Sequence, residues 1–210
     1  MNNWNNIKWI FEPDGSLRDI YVQEVSISDW GKIIDLLNEN YDLKYHPSDK
    51  NENQIDKKSV IKYLADKTGE MDLRTVSVDL NGIIVNCHFF LPDQIEFDID
   101  PKEITSTDDA EKVIEFMKSI SELLQTQVTL TAENDIEFPL IKVDLVKGIE
   151  KALTEQEARK LYRKENKLTN KIGRLKTEIR MKLFPDKFKQ KLLESANETY
   201  KSTEKSKNVW

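Results

Sequence analysis

Glu96, Asp98 and Asp100 alternate with Ile95, Phe97 and Ile99. Successive side chains of a strand point to opposite faces, so the three carboxylates share one side and the three apolar residues the other. Asp93 and Glu103 flank the run. Closely set carboxylates hold Mg²⁺ or Ca²⁺, or form a docking patch for a basic partner. Asp98-Ile99-Asp100-Pro101 lacks the Gly-bearing loop of a calcium hand, so no metal is assigned. We read Asp93, Glu96, Asp98, Asp100 and Glu103 as a partner-binding acidic face.

Cys87 and His88 are adjacent on a predicted strand and so point to opposite faces. A Cys–His nucleophile pair needs both groups within hydrogen-bond reach, which strand neighbours do not achieve together. Cys87 reads as a small buried apolar residue. One Cys and two His in the whole chain give no spacing for structural zinc. No Gly-rich phosphate loop and no Gly-x-Ser-x-Gly turn occur. The sequence therefore nominates no catalytic residue, no metal and no cofactor. The aromatic group Trp4, Trp9, Phe11 and Tyr21 reads as the cap of a core.

A second charged constellation has the opposite sign. Lys160, Lys164, Lys167, Lys171 and Arg174 are spaced 4, 3, 4, 3, which puts them on one face of a helix. At about 1.5 Å per residue they span roughly 20 Å and could follow phosphates or an acidic protein surface. Tyr162 alone supplies an aromatic ring in that stretch, so base stacking is poorly supported. Leu161, Leu168, Ile172, Leu175 and Ile179 follow coiled-coil spacing on another face and form a predicted assembly seam. Pairing between chains along this seam would make a homo-oligomer.

The two constellations belong to two halves of unlike charge. Residues 1–153 carry 16 Lys+Arg against 30 Asp+Glu, net −14, and residues 154–210 carry 16 against 8, net +8. We expect an acidic α+β domain over 1–153, as one body or as two hairpin–helix–strand lobes, 1–70 and 71–153. A basic helical extension follows over 154–201, coiled-coil-like or a helical hairpin broken at Pro185, and 202–210 is a frayed tail. No apolar run approaches the roughly 20 residues of a membrane span. A single cysteine and no basic–apolar leader pattern lead us to expect a cytoplasmic protein.

The elements that position the acidic face follow from periodicity. Ile7–Glu12 and Leu17–Val25 predict two strands around a Pro13-Asp14-Gly15-Ser16 turn. Trp30, Ile33, Ile34 and Leu37 predict a helix capped by Ser26 or Ser28, followed by a short strand over 41–45. Val60, Ile61, Leu64 and Ala65 mark a second helix. Leu73–Leu80 and Ile83–Leu91 flank Asn81-Gly82, the strongest short hairpin signal, and Gln94–Asp98 adds a strand. A helix through Val113, Met117, Ile120 and Leu124 has its cap at Thr105 or Ser106. Val128–Thr131 and Leu140–Leu145 complete the strands, with Pro139 favouring an edge. Strands grouped with a few helices mean α+β with a mixed or mainly antiparallel sheet.

Three function classes remain. The first is a non-enzymatic interaction module whose acidic body binds a basic protein partner, in the manner of an inhibitor or immunity protein, while the helical tail gives assembly or a second contact. The second is a nucleic-acid-associated regulator binding phosphates through helix 159–182. The third is an enzyme with an unrecognised carboxylate site.

Overall fold

The computed structural model of the chain describes residues 4–45, 53–66, 68 and 75–164. Two compact units are present, residues 1–158 and residues 159–210. In the second unit the described residues, 159–164, are helical, with Leu161 and Tyr162 exposed.

The first unit is α+β, built on one antiparallel sheet. Its elements in chain order are helix α1 (Trp4–Ile7), a 3-10 turn (Lys8–Phe11), β1 (Arg18–Gln23), α2 (Ile27–Asn40), β2 (Asp42–Tyr45), α3 (Lys57–Ala65), β3 (Val76–Asp79), β4 (Ile84–Leu91), β5 (Gln94–Ile99), a second 3-10 turn (Pro101–Glu103), α4 (Thr107–Leu124), β6 (Val128–Ala132), β7 (Pro139–Asp144) and β8 (Ile149–Ala152). The eight strands lie in the order β2-β3-β4-β5-β1-β6-β7-β8. Strand β1 thus sits between β5 and β6, and β2 and β8 are the edges.

Register sets the two faces. Val76 pairs with Cys87, Cys87 with Phe97, Phe97 with Ile20, Ile20 with Leu130 and Leu130 with Ile141. This apolar row and its neighbour through Val78, Val85 and Ile99 form the floor of the core. Helix α4 packs over β6 and β7, α3 over β4, and α2 against both α3 and α4. Trp30, Ile33, Ile34 and Leu37 are all buried on one stripe of α2. Phe116 of α4 meets Phe97 and Tyr41 edge-on, at centroid distances of 5.2 and 5.4 Å. Such aromatic contacts add about 0.5–1.5 kcal/mol each beyond the area buried.

Serine N-caps start the long helices, with a full capping box in α2. Ser26 Oγ accepts from Asp29 N while the Ser26 N–H donates to Asp29 Oδ2. In α4, Ser106 Oγ accepts from Asp109 N, and Asp109 Oδ2 takes the N–H of Thr105. Thr154 and Glu157 form the same reciprocal pair ahead of the helical residues from 155.

The N-terminal segment departs from its sequence expectation. Residues 7–12 are not a strand: Ile7 ends α1 and Lys8–Phe11 form the 3-10 turn. Ile7, Ile10 and Phe11, spaced three and four apart, are all buried, and Trp4 stacks on Phe11. The buried Arg18 holds this segment in place. Its guanidinium donates to the carbonyls of Ile10 (2.6 Å), Glu12 (3.1 Å), Ser16 (3.3 Å) and Leu17 (2.9 Å). A backbone whose carbonyls are taken by one side chain has no need of a strand partner. At the other end, Pro139 opens β7 beside a register shift against β6, so its missing N–H falls where the ladder is already interrupted and β7 lies inside the sheet.

Candidate functional site: a polar sheet face and an acidic groove

The sheet face opposite the apolar rows is polar. One row runs Ser77–Asn86–Asp98–Asp19–Thr131 and the next His88–Glu96–Tyr21–Thr129–Lys142, each residue directly opposite the next. A chain of hydrogen bonds ties the first row to His88. Ser77 Oγ donates to Asn86 Oδ1 (3.0 Å) and Asn86 Nδ2 donates to Asp98 Oδ1 (2.8 Å). His88 Nε2 donates to Asp98 Oδ2 (2.5 Å), and in that tautomer Nδ1 accepts from Thr75 Oγ1 (3.2 Å). Phe90, on the same strand, stacks on the imidazole at 4.8 Å and is itself exposed. Asp19 Oδ2 accepts from Tyr21 Oη (2.8 Å) and from Asn134 N (2.7 Å).

Burial shifts the acids of this face. Desolvation raises Asp19, the two hydrogen bonds oppose it, and the charge of Asp98 adds to the rise. Desolvation also raises Glu96, with Asp19 adding to it. Burial and the neighbouring Asp19 push the Tyr21 phenol up. The thiol of Cys87, on the core side, is raised by burial alone.

The five acids that the sequence nominates do not lie together. Glu96 and Asp98 share the polar face, with Asp98 buried and bonded within the fold. Asp100 follows the strand and caps the second 3-10 turn, accepting from Lys102 N (3.0 Å). Glu103 accepts from the N–H of Ile84 (2.6 Å). Asp93 is exposed in the β4–β5 turn, where its carbonyl accepts from Val25 N. Lys160 and Lys164 are exposed on the helical residues of the second unit. Lys167, Lys171 and Arg174 lie outside the described residues, as do Leu168, Ile172, Leu175 and Ile179 of the seam.

A larger concentration of acid lies elsewhere, in a surface groove of about 860 Å³ between the C-terminal end of α2, the β3–β4 turn and the first half of α4. Among the described residues, Glu39, Asp42, Asp79, Asp108, Glu111 and Glu115 line it, against the single cation Lys112. Lys112 is already engaged by Asp109 and the carbonyl of Asn81. Asp79 accepts from Gly82 N in the turn, and Glu115 pairs with Lys118. Among the described residues, Glu39, Asp42, Asp108 and Glu111 form no ion pair, and Glu111 Oε1 is buried without a hydrogen-bond partner. Glu39 also sits in the last turn of α2, which holds no basic residue. A carboxylate at a helix C-terminus works against the helix dipole by roughly 0.3–1 kcal/mol. Phe116 and Tyr41 form the apolar floor.

Sequence reasoning missed this groove. Asp108, Glu111 and Glu115 are spaced 3 and 4, the same signal that marks the lysine stripe. The other three acids come from α2, β2 and β3, which only the fold brings near.

Among the described residues, no group of three or more His, Cys, Asp or Glu side chains is placed to hold a metal ion. No described helix is long and apolar enough to cross a membrane. No protein-family model matches the chain, no curated protein matches it, and no solved structure matches it.

Proposed function

We propose that the chain is a protein-interaction module whose acidic body takes up a basic segment of a partner protein, in the manner of an inhibitor or immunity protein. The observation that carries this reading is the convergence of Glu39, Asp42, Asp108 and Glu111 in one groove that holds no free cation among the described residues. A concave surface lined by one sign of charge focuses its field and speeds encounter with an opposite charge. Glu39 keeps a carboxylate where the helix dipole disfavours it, a cost that a bound cation would offset. The basic extension supplies assembly or a second contact. The buried, lone Cys87 fits a reducing compartment, and we place the protein in the cytoplasm.

Fluorescence anisotropy of the full chain with a labelled oligolysine peptide tests the groove. Binding is expected at about 50 mM salt and should weaken as added salt shortens the screening length. Glu39→Lys with Asp108→Lys should weaken binding by about tenfold or more, equivalent to at least ~1.4 kcal/mol. Glu133→Lys, outside the groove, should change it little. Equal binding by the groove variant and the wild type would overturn the assignment.

A further inference from the structure

The polar sheet face carries a feature that the groove does not explain. Like charges directly opposite on antiparallel strands repel. Here Asp19 of β1 stands directly opposite Asp98 of β5, with both side chains buried. Glu96 lies two residues before Asp98 on the same side, opposite Tyr21. Glu133, whose carboxylate accepts from Leu17 N, adds a further negative charge that acts on both Asp19 and Tyr21. Against these, β4 contributes only the imidazole of His88, bonded to Asp98. Strand β6 contributes Thr131 and Thr129, and the lysines of the two rows stand at their far ends, Lys142 of β7 and Lys151 of β8 beyond Thr129 and Lys44 of β2 beyond Ser77.

Across the Asp19–Asp98 pair, the hydrogen bonds among the described residues leave one oxygen open to a proton. Asp98 uses both oxygens, Oδ1 for Asn86 and Oδ2 for His88. Asp19 receives both of its donors, Tyr21 Oη and Asn134 N, on Oδ2. Among the described residues its Oδ1 accepts none, and Asp19 is the residue facing Asp98. A proton there relieves the repulsion across the β1–β5 pair and disturbs none of the bonds named. The Thr75 hydroxyl lies beside His88 Nδ1 and can donate or accept there.

We propose that Asp19 and Glu96, set against the bonded Asp98–His88 pair, form a proton-binding site that makes the centre of the sheet responsive to pH. The site holds a proton at pH values where exposed carboxylates have lost theirs. Deprotonation loads the β1–β5 junction and the turn anchored by Asn134. The sign follows from linkage: an acid that binds its proton more tightly folded than unfolded contributes stability that is complete below its unfolded value. That stability is lost as pH rises through the folded value.

The test is a titration of the full chain by carboxyl ¹³C NMR, together with its thermal midpoint from about pH 7 down to about pH 4, the range above the ordinary carboxylate values. The Asp19 and Glu96 carboxyl signals should titrate above the ordinary carboxylate range. The midpoint should rise on acidification, with a smaller rise in Asp19→Asn and in Glu96→Gln. Glu122→Gln, which removes an exposed charge from α4, should keep the wild-type slope and so accounts for the effect of net charge. Ordinary titration of both carboxyl signals would overturn the proposal whether or not the variants fold. So would wild-type slopes in folded Asp19→Asn and Glu96→Gln.

Discussion

Replacing Arg18 by Lys keeps the charge and removes the fork. The guanidinium of Arg18 is buried and donates to four backbone carbonyls, those of Ile10, Glu12, Ser16 and Leu17. It also pairs with Asp14, whose own side chain is 59% exposed. Lysine offers one compact ammonium and reaches one or two of these carbonyls at best. A hydrogen bond to a charged group is worth about 1.5–3 kcal/mol, and the bonds of one side chain do not add independently. A loss of about 2–4 kcal/mol is therefore expected, or about 4–16 °C in thermal midpoint for a domain of this size. Asp14→Ala is the control: it removes an ion pair on the solvent side, worth about 0–1 kcal/mol. Urea unfolding followed by tryptophan fluorescence reads both variants, with Trp4 and Trp9 reporting on the segment that Arg18 holds. If Arg18→Lys lay within ~0.5 kcal/mol of wild type, an ordinary surface effect, Arg18 would not be what fixes this segment.

Further consequences concern acid and thiol chemistry. Asp29 is lowered from its ordinary 3.8 to about 2, first by Lys32 and then by Ser26. Asp109 is lowered to about 2, first by Ser106. A carboxylate with a depressed folded value stabilises above its unfolded value and loses that contribution as pH falls through the folded one, so both caps should fail between about pH 4 and 2. Circular dichroism of Asp29→Asn/Asp109→Asn should show a shallower acid limb than wild type, and an identical limb would mean the caps do not set it. The Cys87 thiol, buried and raised, should resist a disulfide reagent in native protein and react at the unfolding rate in urea; fast native labelling would contradict its burial.

How much of this was legible in the sequence depends on the range of the interactions. Local signals read well: Asn81-Gly82 gives the β3–β4 hairpin, and the Ser26, Ser106 and Thr154 caps are in place. The alternation in 94–99 correctly separates Glu96 and Asp98 from Phe97 and Ile99. The N-terminal segment was misread because the Pro13–Ser16 turn suggests a hairpin. The helical spacing of Ile7, Ile10 and Phe11 was the truer signal, and Arg18 replaces strand pairing in a way no local pattern announces. Strand β8 escaped because Ile149–Ala152 is short, with two charged residues between its apolar ends. The groove escaped because its acids come from separate elements. The proton site escaped because Asp19 and Asp98 meet only through the register of two strands distant in sequence.

The position of β1 bears on how the chain is made. Arg18–Gln23 precedes both of its neighbours in the chain, Gln94–Ile99 on one side and Val128–Ala132 on the other. The first strand of this sheet in chain order therefore waits more than a hundred residues for its second edge to be sealed by β6. Until then its apolar face, Ile20 and Val22, lacks the strands that flank it in the finished sheet. Pairings of such long sequence separation form slowly and leave bare strand edges open to wrong partners. The keystone of this sheet is thus also its period of greatest exposure to aggregation, so a chain cut short before residue 128 would be a client for chaperones rather than a smaller version of the fold.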